Sequence, residues 1–170
     1  REMEATTQSR VQLLNELRSA LNLGKGLELH YQPQVSPLGQ QVVGCEALIR
    51  WMKPHGEMVA PDVFIPLAEY TGLIVEIGDW VFAEACQQIV RWDKEGLPHF
   101  RVGINISAAQ FREPDFVSKI AGVIESTGVS PARLELEITE SVAMEDPESV
   151  ARQLRELKSL GLRVAVDDFG

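Results

Sequence analysis

Gly44-Cys45-Glu46-Ala47-Leu48-Ile49-Arg50-Trp51 reads as a β-strand with two unlike faces. Cys45, Ala47, Ile49 and Trp51 are apolar, and period-2 alternation sets Glu46, Leu48 and Arg50 together on the other side. A carboxylate and a guanidinium separated by one leucine mark either a solvated face or a site. Three further runs favour a site. Arg101 to Ser107 puts Val102, Ile104 and Ile106 on one face and Asn105 and Ser107 on the other; Leu134 to Glu140 repeats the pattern with Glu137; Arg163 to Asp168 ends in Asp167 and Asp168. Each polar residue lies near its strand's C-terminal end. Open α/β sheets and (β/α) barrels place their chemistry there, so the four runs can converge on one point.

In these residues the chain resembles the EAL-domain family, the cyclic di-GMP phosphodiesterases. Glu46-Ala47-Leu48 is the name-giving motif, extended by Arg50-Trp51. Tyr31-Gln32-Pro33, Phe64 to Glu69, Asn105-Ile106-Ser107, Glu137 to Ser141 and Asp167-Asp168-Phe169-Gly170 look like the family's other landmarks, in order. A three-letter motif recurs by chance, whereas six ordered motifs are specific. The resemblance runs from about Leu27 to Gly170. It implies an α/β fold, a TIM-like (β/α) barrel of the EAL type with an antiparallel first strand, incomplete in this chain.

The composition agrees with one globular domain: 170 residues, 45% hydrophobic and 24% charged. The net charge of −9 argues against a general nucleic-acid surface. An anionic nucleotide would need cations to offset that field. No apolar run approaches a membrane span and no signal peptide is visible, so this segment is expected to be cytoplasmic, whether or not its parent is membrane-anchored. Cys45 and Cys86 lack metal-site spacing and read as buried free thiols.

Residues 1–26 carry an amphipathic helix with Val11, Leu14, Leu17 and Leu21 at helical spacing before Gly24 and Gly26. This segment reads either as a linker from an upstream GGDEF or other sensor domain or as a helix packed on its own domain. Residues 27–170 then form the N-terminal portion of the EAL domain, ending after the Asp-Asp-Phe-Gly motif. Leu27 to Val35 is the first strand, and the Ser36-Pro37-Leu38-Gly39 turn is too short for a crossover helix, which makes the first pair antiparallel. Pro61 and Gly72 bracket a short helix. Longer helices are expected over about 78–95, with Trp80, Val81, Ala85, Ile89 and Trp92 as its buried stripe, over 114–128, and after the Asp146-Pro147 cap as far as Gly161. That gives five strands where a closed barrel has eight and about 250 residues.

Glu46, Asn105, Glu137, Asp167 and Asp168 offer four carboxylates and an amide oxygen, a hard donor set suited to Mg²⁺ or Mn²⁺. The resemblance implies that Glu46, Asn105, Glu137 and Asp167 hold a first metal and Asp168 a second. It further implies that Gln32, Leu48 and Arg50 meet the substrate, and that Glu140 anchors the loop after Asp-Asp-Phe-Gly. The implied reaction is two-metal hydrolysis of cyclic di-GMP to pGpG. The family's general-base lysine, a further metal-binding Glu and a Gln lie beyond residue 170, so the chain as it stands is expected to be inactive. The competing readings are a degenerate domain that binds cyclic di-GMP as a receptor and a protein-interaction module. Glu135 shares a face with Glu137 and has no partner evident in the sequence. A homo-oligomer is expected because an open sheet would leave the Arg163 to Asp168 strand with an unpaired edge and an apolar interior uncovered.

Overall fold

The computed structural model describes residues 2–167 of the 170-residue chain. Asp168, together with the rest of the Asp-Asp-Phe-Gly motif past Asp167, lies outside the described residues.

A sheet organises the molecule. Strands β1 (Leu27–Val35) and β2 (Val42–Met52) pair antiparallel, then β4 (Arg101–Asn105), β5 (Leu134–Thr139) and β6 (Arg163–Asp167) add in parallel, in the order β1-β2-β4-β5-β6. The expected antiparallel first pair is present. One strand more than expected is found: β3 (Met58–Val59), two residues long, pairs with Trp51 and Met52. So short a piece lies below what alternation can reveal.

Helices cover the apolar face of the sheet. In β5, buried Leu134, Leu136 and Ile138 alternate with half-buried Glu135, Glu137 and Thr139. In β2, Cys45, Ala47 and Trp51 are buried by the same logic, with the Trp51 ring edge-on to Phe64 of α2 (Pro61–Thr71). The long helix α3 (Ile74–Lys94) buries Ile77, Val81, Phe82, Ala85, Cys86 and Ile89. Trp80 and Trp92 lie at the margin of that stripe, and Trp92 packs edge-on against Tyr31 at 4.8 Å. The helix starts four residues before the expected Gly78, because Gly72 closes α2 in the left-handed conformation and the chain turns at once.

The single helix expected over 114–128 is two: α4 (Ala108–Arg112) and α5 (Phe116–Thr127). Ser107 caps α4 and Pro114 separates the pair. A 3-10 turn (Pro131–Arg133) leads into β5, α6 (Glu140–Glu145) follows it, and α7 (Pro147–Ser159) starts at the Asp146 cap with Pro147 first. At the N-terminus, α1 (Glu2–Leu23) buries Leu17 completely, and Lys53 holds Glu16 at 3.0 Å.

The uncovered face of the sheet is not the apolar surface the sequence suggested. Alternation and register place Gln32, Glu46, Arg50, Asn105, Glu137 and Asp167 on it. The apolar partners of these residues already pack on helices, so the inner face is polar and half wet.

Candidate active site

Parallel pairing brings the strand ends together. Glu46 lies opposite Gly103, Asn105 opposite Glu137, and Thr139 opposite Asp167. At that end a cavity of about 330 Å³ opens between the strands and helices α2 and α3, lined among others by Leu48, Arg50, Glu69, Asn105, Glu137 and Asp167. Parallel sheets present their strands' C-terminal ends to ligands in this way.

Asn105 donates through Nδ2 to Glu46 Oε1 at 2.9 Å, which ties β4 to β2 and fixes the amide orientation. Glu137 is pushed up from 4.5 to about 7, first by burial and then by the negative charges of Glu46, Asp167 and Glu135. Its carboxylate occupies space that only a glycine leaves: a Cβ on Gly103 would lie 2.5 Å from Glu137 Oε1. Arg50, half-buried on β2, donates from Nη1 to the Ile49 carbonyl at 2.9 Å, and its other N–H groups have no partner among the described residues. They remain available to an anion, which a planar guanidinium suits.

Four of the five expected metal ligands are thus neighbours on one face of the sheet, and Asp168 falls outside the described residues. The oxygen-only set fits a hard divalent cation, and the like-charge crowding on Glu137 is what such a cation would relieve. Among the described residues the acids are electrostatic neighbours without being drawn into a formed metal-binding cluster. Leu48 and Arg50 line the cavity. Gln32 lies opposite Glu46 in the β1–β2 register but does not line it. Glu140 is exposed in the first turn of α6 and does not line the cavity, although the preceding Thr139 does. Glu135 stands opposite Arg163 in register and makes no ion pair among the described residues.

Two lining residues escaped the sequence reading as site groups. Glu69 projects from α2, where Phe64 and Ala68 mark the buried face and leave it exposed. Gln110 in α4 is 4% exposed, and its Ser107-x-x-Gln110 spacing is a capping box that the sequence displays.

The fold and site define an α/β domain of (β/α)-barrel type whose strand ends carry an acidic, oxygen-donor pocket. The chain matches the EAL domain family over residues 14–170 and belongs to it. It is 40% identical over 168 residues to the bifunctional diguanylate cyclase/cyclic di-GMP phosphodiesterase MucR of Pseudomonas aeruginosa, covering 99% of this chain and 24% of that protein. It is 36% identical over 158 residues to the cyclic di-GMP phosphodiesterase PA2567 of the same organism, covering 93% of this chain and 27% of the relative. The solved structure of the PaMucR phosphodiesterase in complex with c-di-GMP superposes with a TM-score of 0.87 at 41% identity, over 94% of this chain and 64% of that one. The chain spans about a quarter of the length of these two curated relatives. Among the described residues no helix is long and apolar enough to cross a membrane.

Proposed function

We propose that the parent EAL domain hydrolyses cyclic di-GMP to pGpG with Mg²⁺ or Mn²⁺, in bacterial second-messenger signalling, the 170-residue chain alone being inactive. The observation that carries this reading is the convergence of Glu46, Asn105, Glu137 and Asp167 beside a cavity that Arg50 also lines, in a chain of this family. Glu46, Asn105, Glu137 and Asp167 would hold a first cation and Asp168 a second. When bound, such a pair lowers the pKa of water and offsets charge on a phosphodiester. Arg50 fixes a phosphate, Leu48 packs against the ligand, and Gln32 borders the groove. Glu140 would anchor the loop after Asp-Asp-Phe-Gly.

Residues 27–170 belong to the catalytic domain in this reading, and 1–26 to a helix that connects it with an upstream GGDEF or sensor domain. The relative described as an oxygen sensor protein, DosP of Escherichia coli, supports a multi-domain signalling context. The domain works in the cytoplasm and self-associates. The test follows pGpG formed by the parent protein, by chromatography with Mg²⁺ or Mn²⁺ present: Glu46→Ala is expected to abolish turnover, and undiminished hydrolysis would remove Glu46 from the site.

A further inference from the structure

Asn105, the last residue of β4, is held by a chain of contacts that ends on α3. Its side-chain amide is exposed and donates through Nδ2 to Glu46 Oε1 at 2.9 Å, which leaves Oδ1 for a cation. The ladder supports the backbone one residue further, where the Ile106 N–H donates to the Glu137 carbonyl at 2.9 Å. Past that point α4 takes over. Gln110 Oε1 accepts from the Ser107 backbone N–H at 3.0 Å and lies 3.1 Å from the Ser107 hydroxyl, and the Gln110 backbone N–H donates to Ser107 Oγ at 3.2 Å. This capping box ties the backbone N–H and the hydroxyl of Ser107 to one residue.

A five-residue helix cannot supply rigidity by itself. It is held from outside. The Gln110 side chain, 4% exposed, packs across Gly78 of α3, where an added Cβ would lie 1.9 Å from Nε2. Gln153 Nε2 donates to the Phe111 carbonyl at 2.8 Å and ties α4 to α7. A glycine inside a helix weakens it, yet Gly78 lies buried within the 21-residue α3. The seat of the Gln110 amide accounts for it: any larger residue there would displace that amide.

A neutral amide oxygen is the weakest donor in a set otherwise made of carboxylates, so what it adds to cation binding depends on its being held in place beforehand. We propose that Gln110 is a positioning residue for the metal site: seated on Gly78, it fixes Ser107 and, through it, the backbone from which Asn105 presents Oδ1. This rests on the reading that Asn105 holds a cation.

Binding of Mn²⁺ to the parent protein, followed by electron paramagnetic resonance of the free ion, tests it without turnover. Gln110→Met keeps the bulk of the side chain but removes the acceptor, and should lower Mn²⁺ affinity about tenfold, the scale on which groups behind metal ligands act. Gln110→Glu keeps the acceptor that Ser107 uses and should bind at least as tightly as the unsubstituted protein. In an Asn105→Ala background Gln110→Met should bring no further loss, because both changes act on one ligand. A lower melting temperature with unchanged Mn²⁺ affinity would show that the capping box serves the fold alone and overturn the proposal. An undiminished loss in the Asn105→Ala background would overturn it too. Should Gln110→Met fail to fold, Ser107→Ala removes only a hydroxyl from a half-buried position and carries the same comparison. An affinity loss confined to the protein with Asn105 supports the proposal, and no loss overturns it. If the unsubstituted parent binds no Mn²⁺, or Asn105→Ala binds it equally well, the proposed metal site itself fails and the positioning role with it.

Discussion

Glu137 has Glu135 two residues below it on the same face, Glu46 and Asp167 on other strands, and Gly103 leaving room for its carboxylate. Its carboxyl is raised from 4.5 to about 7 by burial and by those neighbours, so between these values the folded chain holds a proton that the unfolded chain has released. Stability from this group is fully present below the lower value and is lost as pH rises through the upper one. The melting temperature should fall across that window, Glu137→Gln should flatten the slope, and Mg²⁺ or Mn²⁺ should raise the melting temperature most on the alkaline side. A parent profile as flat as that of Glu137→Gln would show that the acids do not interact. Gly103 offers a test of positioning without removing a functional group. An added Cβ would stand 2.5 Å from Glu137 Oε1 and push the flexible carboxylate aside. In the parent protein, Gly103→Ala should lower pGpG formation about a hundredfold, the scale of an ångström-level misplacement, with the circular-dichroism spectrum unchanged. Full activity would mean that Glu137 re-seats without cost.

At the scale of elements, what one strand's alternation could say was legible, and what depended on neighbours was not. β2, β4, β5 and β6 are visible because Cys45, Val102, Leu134 and their period-2 partners must pack on helices. The same alternation placed Glu46, Asn105, Glu137 and Asp167 on one face of the sheet. Glu69 and Gln110 were missed because their roles depend on how α2 and α4 meet the sheet, which helical spacing does not report. Arg133 is a second such case. A charged residue before β5 reads as solvated, yet it is 5% exposed, pairs through Nη1 with Asp93 of α3, and donates through Nε to the Phe100 carbonyl at 2.7 Å. Its Nη2 is buried and has no partner among the described residues. The pair clamps the end of α3 to the sheet. Removing one charge leaves the other uncompensated, so Asp93→Ala should cost about 3 kcal/mol in urea denaturation, and Arg133→Met, which removes the buried cation, should cost less. Equal losses would show that packing, not charge, makes the clamp.

For the whole molecule, the polar inner face changes the argument for association. An apolar sheet interior would drive two chains together by area, but the side chains there are Gln32, Glu46, Arg50, Asn105 and Glu137, which water solvates. What remains is the backbone edge. Among the described residues β6 pairs with β5 alone, and Arg163, Val166 and Asp167 on it are exposed, Val166 by 49%. A strand with one free side is a template for another copy, and two such edges joined antiparallel about a two-fold axis close the assembly. Few side chains contribute, so the contact should be weak. The net charge of −9 on each copy opposes it and salt relieves that repulsion. Light scattering after size-exclusion chromatography of the 170-residue chain should therefore show a dimer whose share grows with protein concentration and with ionic strength. Val166→Lys, which puts a charge on the edge without touching the cavity, should shift the population to monomer. A monomer at every concentration, or a dimer indifferent to Val166→Lys, would place the association, if any, away from β6.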